Sequence, residues 1–537
     1  MRPGDWAAAT LTPLPFWAAA TLTPLPFWAA ATLKPLPFWA GSGSLISMRD
    51  DELRRILTDA NQWWRAAAAG SDPTAWVGSH RLLRDRIRYD LGYRANVLDD
   101  ITSGPLSDLL LVLSGPRRIG KSVALLDAAA ALCGRDDVDP RQIVHVPCDG
   151  MRDRDLRRVL TLGRELTRSV DAPHPRRRVW MLDEITGTPG WTTVLKAARD
   201  STSFGDDTVI ISGSRWAAGE DIEGSLLTGR AGTTDARRVR QLLPMTFRDY
   251  LTATRPQLVR PPWVHPADLQ STSVRLGLDA LAFDVDDYDL AWQGYLTCGG
   301  FPRAVAEHTH TGAVSLPYLR DLAAWLRSDV DPDAPTESVP ALLSGLTERA
   351  TSPLNARAAS NALGYSSNHT FARRLARLTS TFAIIACKHR DDAGTVVSNS
   401  QAKVYLVDPL LAWLPSKLRA GLPEPNMTTL SEMALGVALA RAVDALDEGR
   451  WVAGDTIGYT RTASGKEVDL APVPVPSPAG SVRTVPIESK WVDAGWRNEA
   501  KVVEAKYAAG ILATKSLLDL DHPAWAVPAP LVALLLA

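Results

Sequence analysis

The hydrophobic pattern changes period several times along the chain, and each change predicts a different kind of element. Residues 49–110 are charged and helix-like, with RRILTDANQWWRAAAAG followed by a second candidate helix rich in Arg. The next stretch alternates short apolar runs (LLLVLSG, QIVHVPC, RVWMLDE, TVIISGS) with helix-like segments such as SVALLDAAAALC. That alternation predicts βαβ units and a parallel sheet. From about Thr429 the pattern reads helix, strand, strand, helix, strand. The closing APLVALLLA is short, comes with Pro528 and Pro530 at its start, and is expected to be a terminal buried strand. No window supplies the ~20 apolar residues of a membrane-crossing helix, so no membrane role is expected.

The first forty residues follow none of these periods. WAAATLTPLPF begins at Trp6, again at Trp17 and again at Trp28 with Lys34 in place of Thr, and each copy holds two prolines. Proline interrupts helix and central strand alike, so residues 1–47 are expected to build no domain. GSGS at 41–44 reads as a linker, and Met48 as the true translation start, with a Trp-rich surface-binding tail as the alternative.

Length and charge narrow the picture further. A chain of 537 residues exceeds one ordinary core and predicts several domains. Apolar residues are 45% and charged residues 22%, the balance of a globular protein, and a net charge of -1 gives no global attraction to nucleic acid or anionic lipid. Cys133, Cys148, Cys298 and Cys387 are widely scattered, which fits a reduced, cytoplasmic setting rather than a disulfide framework. His308 and His310 form an isolated H-x-H with no further ligand at metal spacing.

The strongest chemical signal is Gly115-Pro-Arg-Arg-Ile-Gly120-Lys121-Ser122, placed between an apolar strand and a helix. In a G-x-x-x-x-G-K-S loop, glycines let backbone N–H groups turn inward onto phosphate oxygens. Gly115, Arg118 and Gly120 belong to that loop; Lys121 would pair with the β- and γ-phosphates, and Ser122 would place its hydroxyl on Mg²⁺. VWMLDEI at 179–185 reads as a buried strand ending in two carboxylates, with Asp183 on Mg²⁺ and Glu184 polarising the attacking water. The strand TVIISGSR ends in Ser212 and Ser214, candidates for contact with the γ-phosphate or that water. ATP and Mg²⁺ are the expected cofactors.

SGPRRIGKS, WMLDE, VIISGSR, LLTGR and LLPMTFRDYL together resemble the prokaryotic AAA-type ATPases that carry a C-terminal domain of unknown function. The resemblance implies that Arg230, in the GR motif, is an arginine finger acting in cis or from a neighbouring subunit. It continues through GGFPRAV at 299–305, a winged-helix region at 350–390 and AKVYLVDPLLAWL at 402–414. From Ser352 to Arg390 the chain holds Arg357, Arg373, Arg374, Arg377, Lys388 and Arg390 but no Asp or Glu, a local basic patch able to track DNA phosphates or to serve as a protein contact. GKEVDLAPV followed by TVPIESKWV resembles the PD-(D/E)xK nuclease-like core. That implies Asp469 and Glu488 on a metal, Lys490 on phosphate or water, and Glu432 as a further member.

The expected architecture is α/β: a P-loop NTPase (AAA-like) parallel sheet, a helical and winged-helix region, and a small α/β restriction-endonuclease-like domain. The expected boundaries are 48–80 for N-terminal helices, 81–255 for the ATPase domain, 256–345 for the helical region, 346–425 for the winged-helix-like domain and 426–537 for the nuclease-like domain. Two functions fit. One is a DNA-related machine whose ATP state controls its C-terminal module; the other is a signalling or scaffold ATPase whose nuclease-like domain is a non-catalytic platform. Either allows a homo-oligomer or a partner protein.

Overall fold

The computed structural model describes residues 47–171, 176–201, 204–214, 226–230, 232, 236–333, 335–336, 338–365 and 367–536. The N-terminal repeat lies outside these residues. Five apolar runs form strands β1 (Leu109–Ser114), β2 (Ile143–Pro147), β3 (Val179–Asp183), β4 (Thr208–Gly213) and β5 (Val239–Gln241). They pair in parallel in the order β2-β3-β4-β1-β5. Every residue of β1, β3 and β4 is buried, as expected of strands covered on both faces by crossover helices. The α/β P-loop NTPase fold expected from the sequence is therefore present.

Both edges of this sheet are capped from elsewhere in the chain, which removes exposed templates for strand addition. At β2, the indole N–H groups of Trp63 and Trp64 both donate to the Ile143 carbonyl, at 3.0 and 2.9 Å. Asn61 adds a reciprocal pair, its amide donating to His145 O at 2.8 Å and its oxygen accepting from His145 N at 2.7 Å. At β5, Glu448 accepts from the backbone N–H groups of Arg238 and Val239, and Arg237 pairs with Asp444. The N-terminal helices and the end of the C-terminal helix Met427–Leu446 thus clamp the sheet from its two sides.

After β5, Thr246 and Asp249 form a reciprocal capping box that starts the helix Phe247–Thr254. The helices Thr272–Asp279, Val285–Cys298, Pro302–Thr311 and Leu316–Val330 follow. Ser338–Thr347, Ala356–Ala362 and Asn368–Ser380 then lead into the antiparallel pair β6 (Ile384–His389) and β7 (Lys403–Leu406). The last part adds β8 (Gly458–Arg461), β9 (Glu467–Val468), the hairpin β10 (Pro474–Ser477) and β11 (Gly480–Arg483), β12 (Ile487–Ser489), β13 (Gly510–Thr514) and β14 (Ala524–Pro528). β7-β6-β8-β9 make one sheet, so strands on either side of residue 426 are hydrogen-bonded together; β12-β13-β14 make another.

The terminal APLVALLLA is not a strand. Ala529–Leu536 is a helix buried on all sides. A run apolar at every position fits a buried strand and a buried helix equally well, and Pro530 decides the matter: it cannot donate to a ladder but fits a first helical turn. The helix packs between Phe247–Thr254 and Met427–Leu446, with Arg248 donating to Leu534 O at 2.6 Å. Among the described residues no helix is long and apolar enough to cross a membrane, and all four cysteines are buried free thiols.

Candidate functional site

Strand order places the chemistry. β4 lies between β1 and β3, so its C-terminal tip sits between the loop that follows β1 and the acids that end β3. Ligands of open parallel sheets bind beyond the carboxyl ends of the strands, and the expected binding residues converge there. Gly115 has φ +152° and a Cβ built on it would lie 2.0 Å from Leu242 O, so only glycine fits. Gly120 (φ 102°) and Arg118 (φ 65°) also turn through positive φ, which curls the loop over the start of the helix Lys121–Cys133.

Lys121 is buried, and its Nζ donates to Gly115 O at 3.1 Å and Pro116 O at 3.0 Å while standing 3.3 Å from Glu184 Oε1. Burial pushes its ammonium pKa down, partly opposed by Glu184. The lysine is thus held over the loop by weak carbonyl acceptors, a cation that an anionic ligand would stabilise.

The two carboxylates at the end of β3 face different environments. Asp183 is buried, accepts from Ser212 Oγ at 2.5 Å and has His145 Nε2 at 3.8 Å from its Oδ2. Burial raises its pKa, but His145 and the hydroxyls of Ser212 and Ser122 outweigh it and leave it below the usual aspartate value. Asp183 therefore stays ionised, with the Ser122 hydroxyl beside it: hard oxygen donors of the kind Mg²⁺ prefers. Glu184 sits in the left-handed region (φ 54°), which swings its side chain toward the phosphate loop. Its N–H donates to Ser212 Oγ at 2.9 Å and its Oε2 accepts from Ser214 Oγ, also at 2.9 Å. One strand tip thereby positions both acids.

Not every expected residue joins this group. Arg118 turns away from the loop to Asp321 of the helix Leu316–Val330, at 3.1 Å. Arg230 pairs with Asp200 at 2.7 Å, and its carbonyl accepts from Arg199, which also binds Asp108. Asp108 immediately precedes β1, so Arg230 lies at the opposite end of the strands from the phosphate loop. In this structure the Arg230 guanidinium is held by Asp200, just past the helix Trp191–Arg199, and away from its own phosphate loop.

Sequence reasoning missed three contributors. His145 was legible only as one polar residue inside the IVHVP strand. Arg117 donates to Ser214 Oγ at 3.2 Å. A cavity of about 230 Å³ also opens beside Ile119 and Gly120, walled by Leu91, Tyr93, Val123 and Met245. Arg303 closes it, with its guanidinium over the Tyr89 ring at 4.8 Å. A cavity touching a phosphate loop, with an apolar and aromatic wall facing charged residues such as Asp90, Arg94 and Asp127, suits a planar base with polar edges.

The C-terminal acids also meet, with an addition that changes their chemistry. Asp469 follows β9, Glu488 lies on β12, and Glu432 projects from Met427–Leu446; all three are buried. Lys403 of β7 enters the group, its Nζ 2.7 Å from Asp469 Oδ1 and 3.1 Å from Glu432 Oε1. Lys490 Nζ lies 2.9 Å from Glu488 Oε1, Tyr405 donates to Glu432 at 2.7 Å, and the backbone N–H groups of Asp469 and Ser489 bind Glu488 and Asp469 at 3.1 Å. Burial, then the like charge of Asp469, pushes Glu432 and Glu488 above the usual glutamate range. Lys403 is held charged because Asp469 and Glu432 outweigh the burial that opposes it. Among the described residues no three His, Cys, Asp or Glu side chains form a metal-ligand set. A metal at Asp469 and Glu488 would have to displace the Lys403 ammonium from Asp469 and the Lys490 ammonium from Glu488.

The basic patch is likewise reduced. Arg374 pairs with Asp331, Arg377 donates to Val330 O at 2.8 Å, and Arg390 is buried against Asp455. These side chains anchor the fold, leaving Arg357 and Arg373 exposed.

Comparison with known proteins finds similarity in two parts of the chain. Residues 107–251 match the AAA domain, and residues 290–419 match a domain described only as a domain of unknown function (DUF8612). An uncharacterized protein of Haemophilus influenzae is 24% identical over 328 residues, covering 59% of this chain and 71% of that one. Among solved structures, a Walker-type ATPase of Pyrococcus abyssi is 14% identical, covers 57% of this chain and 90% of its own, and gives a TM-score of 0.35. The Orc1 protein of Aeropyrum pernix, solved in complex with DNA, is 13% identical, covers 67% and 95%, and gives 0.28. The assignment rests on the domain match and on the strand order: residues 107–251 are an AAA-type, nucleotide-binding ATPase domain, followed by a domain of unknown function.

Proposed function

We propose that this protein binds Mg·ATP in the loop 115–122 and hydrolyses it, and that its C-terminal module is a non-catalytic platform. The observation that carries the reading is the convergence of Lys121, Asp183, Glu184 and Ser214 at the tips of β1, β3 and β4. Backbone N–H groups of the loop and Lys121 hold the phosphates, and the cavity walled by Leu91, Tyr93 and Val123 takes the base. Ser122 and Asp183 would hold Mg²⁺, which would supply charge withdrawal from the phosphates. Glu184, oriented by Ser214, takes the proton of the attacking water. Arg230 supplies a finger only to a neighbouring subunit.

The platform reading of the C-terminal module is supported by Lys403, whose ammonium stands among the carboxylates that a nuclease would give to metal. A DNA link keeps one support: the helices Ala356–Ala362 and Asn368–Ser380 followed by β6 and β7, the order of a winged helix, with Arg357 and Arg373 exposed.

Phosphate release from ATP by the parent, Lys121→Ala and Glu184→Gln tests the assignment. Lys121→Ala should lose nucleotide binding, and Glu184→Gln should bind and not turn over; parent-like hydrolysis by both would refute it. Duplex DNA added to the same assay tests the DNA link through stimulation. Metal-dependent nicking of plasmid DNA that is lost in Glu488→Ala would refute the platform reading.

A further inference from the structure

A continuous polar chain leads out of the ATP site. Glu184 Oε2 accepts from Ser214 Oγ at 2.9 Å, Ser214 Oγ accepts from Arg117 Nε at 3.2 Å, and Arg117 Nε lies 3.1 Å from Asp329 Oδ2. Asp329 is on the last turn of Leu316–Val330, its side chain 1% exposed, and the same oxygen accepts from Trp325 Nε1 at 2.7 Å. The next residues hold the helix Asn368–Ser380: Asp331 accepts from Arg374 Nε at 2.7 Å and Val330 O from Arg377 at 2.8 Å. A buried carboxylate therefore ties a phosphate-loop arginine to the element that carries the winged-helix-like helices.

We propose that Arg117 is a positioning residue that reports phosphate charge to this helix: a triphosphate in the loop competes with Asp329 for the Arg117 guanidinium. The inference rests on the nucleotide reading above. Arg117 is suited to the task because it is half exposed and already bonded to Ser214, between Glu184 and the loop. When Arg117 turns to phosphate, Asp329 keeps Trp325 but loses the Arg117 contact, and the end of Leu316–Val330 loosens its hold on Arg374 and Arg377. Arg118 and Asp321 form a parallel tie, but both side chains are exposed and water screens them, so that pair contributes little.

Linkage makes the inference measurable, because whatever Arg117 gains from Asp329 opposes nucleotide binding by the same factor. Asp329→Asn keeps an oxygen for Trp325 and removes the charge. Titration of the full chain with a non-hydrolysable ATP analogue should show it binding Asp329→Asn roughly fivefold tighter than the parent or more, and Asp321→Asn within roughly twofold of the parent. Hydrogen exchange of residues 368–380 should rise on adding the analogue to the parent, and should already be raised in Asp329→Asn without it. Binding to the parent with equal affinity in Asp329→Asn, or without any change in 368–380, would overturn the relay and leave the nucleotide site standing. Equal tightening in Asp321→Asn would overturn it by showing a general charge effect. No binding to the parent would overturn both the relay and the nucleotide reading.

Discussion

Two clusters in this molecule are built from the same residue types, carboxylates and lysines, and they are arranged for opposite purposes. In the AAA domain Lys121 hangs on backbone carbonyls 3.0 and 3.1 Å away with a single carboxylate, Glu184, at 3.3 Å, and burial makes its charge costly. In the C-terminal module Lys403 lies between Asp469 and Glu432, and its charge is favoured. The first cluster is completed by an anion from outside, whereas the second is complete in itself. A D…E-x-K pattern therefore says little about chemistry until the position of every nearby cation is known.

The sharpest way to break this comparison is to remove the two lysines. Lys403→Met should destabilise the protein by about 3–5 kcal/mol, because it leaves Asp469 and Glu432 buried without a counter-charge. Lys121→Ala should cost no stability, since burial already disfavours its ammonium, while nucleotide binding is lost; urea unfolding and nucleotide titration read the two effects. Next in size, Glu184→Gln should lower turnover by roughly 10²–10⁴-fold with nucleotide binding retained; equal losses of both would make Glu184 a binding group.

A smaller effect separates the clusters by pH. Glu432 and Glu488 have folded pKa values raised above the usual 4.5, so between that value and their own the folded state holds protons that the unfolded chain has released. Their contribution is therefore present below pH 4.5 and is lost as pH rises through the raised values. Asp183 has the opposite sign: its lowered pKa contributes stability above the usual 3.8, lost only as pH falls. Melting temperature against pH should decline less steeply on the alkaline side in Glu488→Gln than in the parent; an unchanged slope would count against a buried, protonated Glu488.

How much of this was legible in the sequence follows from the range of each interaction. The phosphate loop, Asp183 and Glu184 were readable because loop and strand end are each set by a few adjacent residues. Lys403 was not, since its partners lie 29 and 66 positions away. Arg374, Arg377 and Arg390 read as a basic patch because Asp331 and Asp455, which absorb two of them, belong to distant segments. That Trp63 and Trp64 cap β2 depends on the sheet order, which their sequence neighbours do not set. The terminal helix was misread because a short run apolar at every position carries no period.

The contrast between an externally completed site and a self-completed one is tested most directly by calorimetric titration of the full chain, first with Mn²⁺ alone and then with Mg²⁺ and a non-hydrolysable ATP analogue. The account predicts nucleotide binding that Lys121→Ala removes, and no Mn²⁺ binding in the absence of nucleotide that depends on Asp469 or Glu488. Mn²⁺ binding without nucleotide that disappears in Asp469→Ala would contradict it, and would return the C-terminal cluster to metal chemistry.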